Sequence, residues 1–172
     1  DNRAFCKYLC PITVFLAPAT AALAVSIYNQ RRILQKYFAP VLIGCLMGSL
    51  ASMGSAYLLC KAFGLEDALV ATMLPKSVTT PIAMAVSETL GGIVPVTVAA
   101  VILTGILGAM IAPLLIKIFH VTDPIAQGVA IGTCSHAIGT TKAMELGELQ
   151  GAMSSIAIGV AGLMTVLISL FL

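Results

Sequence analysis

Two polar islands, LPKSVTTPIAM at Leu74 to Met84 and CSHAIGTTKAM at Cys134 to Met144, interrupt a chain that is otherwise almost free of charge. Each contains a lysine, a run of hydroxyl residues and a helix-breaking Pro or Gly, and each lies within sequence apolar enough to sit inside a bilayer. An ionisable group at membrane depth is costly to keep there and marks a pathway or a binding site. Function is therefore expected in the islands.

The apolar stretches around them set the fold class. Charges are nearly absent from Tyr8 to Gln30, Tyr37 to Cys60, Thr89 to Ile116 and Leu149 to Leu172. Each is long enough for the roughly 20 residues that cross about 30 Å of hydrocarbon. Only 9% of the 172 residues are charged, against about 25% in soluble domains. The sequence predicts an all-α integral membrane protein with four spanning helices and two interrupted segments, the latter re-entrant or broken.

A net charge of +2, spread evenly, excludes a nucleic-acid footprint, and no basic stripe interleaved with aromatics is present. The five cysteines (Cys6, Cys10, Cys45, Cys60, Cys134) form no CxxC pair, so they read as small buried hydrophobes. Cys134, His136 and Glu145 have no further thiol or imidazole beside them, and no metal site is predicted. Lys76 beside Ser77 is not a catalytic dyad, because adjacent helix residues do not face each other. With no GxSxG, HExxH or phosphate-loop motif, no enzyme is predicted.

Along the chain, span A runs from about Pro11 to Tyr28, and the loop carrying Arg31, Arg32 and Lys36 is cytoplasmic by the positive-inside rule. Span B, about Ala39 to Cys60, carries a stripe of Gly and Ser that reads as a packing face. The first interrupted segment is Ala68 to Leu90, span C is about Val94 to Phe119 with Gly105 and Gly108, the second interrupted segment is Ile125 to Glu145, and span E begins at about Ala152. Asp1 follows no Met and Leu172 ends within an apolar run, so the single transmembrane domain, 1–172, is expected to be a fragment.

TTPIAMAVSETLGG at Thr79 and TTKAMELGELQG at Thr140 share TT, AM, a Glu and a closing Gly, a period of about 60 residues. This divides the chain into repeat 1, about 39–92, repeat 2, about 93–151, and a final helix, 152–172. The arms Ala68 to Pro75 and Pro81 to Gly91 would extend only about 12 to 16 Å each at 1.5 Å per residue. A hairpin returning to its starting side gives two units of inverted topology, as in many secondary transporters. A broken helix that crosses fully fits the lengths nearly as well.

The islands offer what a small carboxylate needs when it leaves water, namely charge and hydrogen-bond donors. Lys76 and Lys142 supply ammonium groups; Ser77, Thr79, Thr80, Ser135, Thr140 and Thr141 supply hydroxyls. Pro81 and Gly139 are placed to break the helices, leaving free N–H groups at each restart. Any one hydroxyl alone reads as a partner for its own helix carbonyls; six of them with two lysines read as a site. Lys142 reads equally as an ion-pair partner of Glu145. His136 reads either as a proton relay or as a structural histidine, and Glu88 and Glu145 as coupling or gating groups or, more simply, as solvated ends. A proton or sodium ion is the candidate coupling partner, with no other cofactor.

The strings LPKSVTTPIAMAVSETLGG, TGILGAMIAPLL, DPIAQGVAIGTCSHAIGTTKAMELGELQGAMSSIAIGVAGL and FLAPATAALAVSIYNQ resemble the LrgB/CidB family of bacterial membrane proteins over nearly the whole chain from about Phe15. The resemblance implies further hydrophobic helices ahead of those seen here and a multi-pass protein of the bacterial inner membrane. It also implies one of two functions. One is an antiholin-like or holin-like regulator of murein hydrolase activity and lysis, acting with a small LrgA/CidA-type membrane partner. The other is a transporter of small monocarboxylates such as pyruvate or glycolate, related to the plastidic glycolate/glycerate translocator. The transporter is the expected function, with a small anionic metabolite as ligand, a lipid bilayer as surroundings and a homo-oligomer as assembly.

Overall fold

The computed structural model describes Tyr28 and residues 35–171. Among these, six helices and no strand are found: α1 (Phe38–Ala62), α2 (Asp67–Met73), α3 (Thr80–Thr89), α4 (Val94–Ile118), α5 (Pro124–Leu146) and α6 (Glu148–Ser169). Span A and the Arg31–Arg32 pair lie outside the described residues, Tyr28 excepted. The other expected segments coincide with helices to within a few residues, the largest difference being α6, which begins at Glu148 rather than about Ala152.

Three helices, α1, α4 and α6, are long and apolar enough to cross a membrane. At 1.5 Å per residue the 25 residues of α1 reach about 37 Å, more than the hydrocarbon thickness. Proline marks the first turn of α3, α4 and α5 (Pro81, Pro95, Pro124), where its missing N–H leaves no helix bond unmade. Asp123 also caps α5, accepting from the backbone N–H of Ile125 and Ala126 at 3.2 and 3.4 Å. Between α1 and α2 the exposed Lys61 donates to Asp67 at 2.9 Å. That hydrogen bond and its charge hold the Asp67 carboxyl below its usual range.

Contacts fix the direction of each helix. Gly44 and Gly48 of α1 face Val129 and Thr133 of α5, while Cys45 and Ser49 reach the carbonyls of Ala157 and Ala161 on α6. The first half of α5 and all of α6 thus run parallel to α1. In lipid the hydrophobic effect does not drive helix against helix, so close packing and hydrogen bonds must. Gly128 and Gly132 serve this: a Cβ at either would lie 2.4 to 2.5 Å from a carbonyl oxygen of α6, at Gln150 and Ser154. The backbones of α5 and α6 are therefore nearly in contact.

The chain doubles back within α5. Gly128 and Met144 both lie beside the Gln150–Gly151 turn of α6, although a straight helix would separate them by about 24 Å. Thr140 bonds Ser154, the residue whose carbonyl faces Gly132, and a Cβ on Gly139 would touch Ile131, eight residues earlier, at 3.0 Å. The reversal is at His136, with φ 41 and ψ −140, a conformation that favours glycine. Gly139, expected to make the break, lies instead inside the returning limb, because the His136 torsions alone turn the chain.

The α2–α3 segment also closes on itself. Thr72, near the end of α2, receives Ile93 N–H on its Oγ1 at 2.8 Å and the Thr97 hydroxyl on its carbonyl at 3.2 Å. Ser87 bonds Thr97 at 2.7 Å, and all three side chains are fully buried. Gly92 fits against this knot only because it has no Cβ, which would meet Thr72 N at 2.9 Å. Twenty residues after leaving Thr72 the chain is back beside it.

Candidate functional site

The turn between α2 and α3 and the reversal of α5 meet against α1, α4 and α6. Val101 of α4 touches both: its side chain packs with Val78 and Ala83, and its carbonyl accepts from His136 Nε2 at 2.9 Å. A carbonyl oxygen can only accept, so Nε2 carries the proton. Two glycines on α4 leave room for the α5 tip. A Cβ at Gly105 would lie 2.5 Å from His136 Cε1, and one at Gly108 would lie 2.0 Å from Ser135 Oγ.

Lys76, half-buried in the turn, has its ammonium within electrostatic reach of the Cys134 thiol on α5. Among the described residues no carboxylate pairs with it. Ser77 hydrogen-bonds Ser52 of α1. Thr79 is the N-cap of α3 but does not cap it, and its buried hydroxyl has no partner among the described residues. Thr80, half-buried, opens α3. Ser135 and His136 are buried at the α5 tip. Lys76, Ser77, Thr79, Thr80, Ser135 and His136 are therefore gathered around one crossing.

Three further candidates lie along the returning limb of α5. Thr140 is buried, donating to the His136 carbonyl at 3.1 Å and bonding Ser154 at 2.7 Å. Thr141 is exposed and bonds back to the Ile138 carbonyl. Lys142 pairs with Glu145 on the exposed side. Glu88 is exposed in the last turn of α3.

Sequence reasoning missed a second set of hydroxyls on the spanning helices. Ser49 and Ser52, read as part of a packing stripe, join Ser77, Thr133 and Thr165 around a void of about 10 Å³. That is about the least space that can hold one water molecule. A larger, mostly apolar groove of about 370 Å³ runs between α1 and α5 from Pro40 and Asp123 to Thr133 and Cys134. Among the described residues no group of three potential metal ligands occurs.

The comparison that decides the family covers the chain almost entirely: residues 3–172 match the LrgB-like family. The chain belongs to the LrgB-like family. Its relatives include proteins named antiholin-like protein LrgB from Bacillus mycoides, Bacillus subtilis and Bacillus cereus, each 41% identical over 157 residues. The match covers 91% of this chain and 68% of each relative. No solved structure matches. As an LrgB-like protein with three apolar helices of spanning length, it is a membrane protein.

Proposed function

We propose that this chain is a carrier of small monocarboxylates, of the 2-oxo and 2-hydroxy acid type, working by alternating access as a multi-pass protein of the bacterial inner membrane. Its two units, α1 to α3 and α4 to α5, are read as inverted repeats, each a spanning helix followed by a re-entrant hairpin. The observation that carries this reading is the meeting of both chain reversals at Val101, which packs with Val78 and Ala83 and accepts from His136. A lysine with no carboxylate partner among the described residues, next to the uncapped start of α3, offers an anion a charge, free N–H groups and the positive end of a helix dipole.

In this reading Lys76 neutralises the carboxylate, Thr79 and Thr80 bind its oxygens, and Ser135 and His136 line the opposite tip. Lys142 and Thr141 stay outside the crossing. In this reading the two tips part and close around the anion, the motion an alternating carrier needs. Counterflow in proteoliposomes tests it: internal unlabelled pyruvate or glycolate should drive transient accumulation of the labelled acid. Saturable counterflow supports the carrier, and its absence removes it.

The relatives' name, antiholin-like protein LrgB, supports a second reading more directly than the first: we read it as an antiholin-like regulator of lysis, acting with a small LrgA-type membrane partner. A pore of that kind gives non-saturable leakage without counterflow, so the same vesicles separate the two.

A further inference from the structure

We propose that the void enclosed by Ser49, Ser52, Ser77, Thr133 and Thr165 binds a sodium-sized monovalent cation. The void, of about 10 Å³, lies where α1, the α2–α3 turn, α5 and α6 cross, and five of its nine lining residues carry hydroxyls. Hydroxyls brought from four segments to one small space are oxygen ligands of the kind a hard cation gathers.

Hydrogen positions point to the same occupant. The Ser49 hydroxyl donates to the Ala161 carbonyl at 3.4 Å and Thr133 to the Val129 carbonyl at 2.7 Å. Each hydroxyl, its hydrogen so committed, keeps lone pairs able to accept. Ser52 and Ser77 hydrogen-bond each other, one donating and the other keeping its own hydrogen. Thr165 is only 3% exposed and has no hydrogen-bond partner among the described residues. A helical threonine ordinarily bonds the carbonyl four residues back, but Thr165 makes no such bond to Ala161 O, which receives Ser49. A buried hydroxyl without a partner is costly, and a bound ion removes that cost.

Leu74 and Pro75, at the C-terminal end of α2, also line the void. That end carries the negative pole of the helix dipole, and half-helix C-termini in membrane carriers face coordinated cations. No carboxylate lines the space, which excludes the ligand set a calcium or magnesium ion requires. The one-water volume favours sodium over potassium. Lys76 is not among the lining residues, so an anion held there would be the neighbour of the cation rather than its competitor. Cation binding stands independently of the carrier reading; only a coupling role rests on it.

The test is thermal unfolding of the whole detergent-purified protein without any carboxylate, titrated with NaCl, KCl or choline chloride at constant ionic strength. The midpoint should rise and saturate with sodium, need at least tenfold more potassium, and ignore choline. Thr165→Val should raise the sodium concentration for half-effect at least tenfold, and Thr165→Ser should restore it. If Thr165→Val fails to fold, Ser49→Ala is read in the same way. Equal response to all three salts, or an unchanged sodium response in the hydroxyl-deleted variants, overturns the proposal and leaves a water in the void. Because no substrate is present, failed counterflow leaves this result untouched, and the reverse also holds.

Discussion

The His136 imidazole donates through Nε2 to the Val101 carbonyl across 35 residues of sequence, and Gly105, one turn along α4, is what lets the ring approach. A Cβ there would overlap the ring at 2.5 Å, and the ring cannot retreat without losing its bond. Gly105→Ala should therefore cost about 1–3 kcal/mol, the usual range for overpacking, read as a lowered unfolding midpoint in detergent.

The backbone of His136 makes a second, less usual prediction. With φ at 41 the residue is strained by about 1–3 kcal/mol, a cost glycine does not bear. His136→Ala and His136→Gly both lose the bond to Val101, but only the glycine variant relieves the strain. His136→Gly should be the more stable of the two by about 1 kcal/mol or more, the reverse of the order within an ordinary helix. Equal midpoints would remove the strain argument.

Two glycines of α1 should respond in opposite directions. At Gly48 a Cβ would meet Thr133 at 2.6 Å; at Gly54 nothing lies within 4 Å. Gly48→Ala should destabilise by about 1–3 kcal/mol, whereas Gly54→Ala should stabilise by up to about 1 kcal/mol through helix propensity.

The two lysines should separate in uptake assays. Lys76→Ala should abolish counterflow with the folded yield unchanged. Lys142→Ala breaks an exposed pair with Glu145, a contact of little energetic weight, and should leave uptake within about twofold.

The proposed topology is open to cysteine labelling in a background freed of native cysteines. Single cysteines at the exposed positions Glu66 and Thr89 should react from one side of the membrane, and those at Thr122 and Glu148 from the other. Were either interrupted segment a full crossing, its two positions would label from opposite sides.

Much of this was legible in the sequence. Charge-free runs located α1, α4 and α6, and the polar breaks located both interrupted segments, because hydrophobic length and helix-breaking residues are local properties. What hydropathy could not distinguish is which helix faces lipid. The most apolar 18-residue stretches of α4 and α6 have similar mean hydropathy, 2.4 and 2.0, yet 11% of one and 61% of the other is buried, since lipid and a membrane-protein interior are equally apolar. The reversal point was missed for a different reason. A glycine nearby, Gly139, made the obvious candidate, while the turn is held at His136 by a bond to Val101 and by Gly105 on another helix. The hydroxyls of Ser49, Thr133 and Thr165 were passed over because one serine or threonine per turn in a small-residue stripe looks like spacing, and only the crossing of four segments gathers them.

The doubled-back path of α5 also imposes an order on biogenesis. Unlike α1, α4 and α6, it is not apolar enough to count as a span, and ten of its residues are buried, largely against α6 and α4. Its folded limbs thus have no stable berth until the helix synthesised after them is in the bilayer. The native packing of α5 is therefore complete only once α6, made after it, has crossed the bilayer.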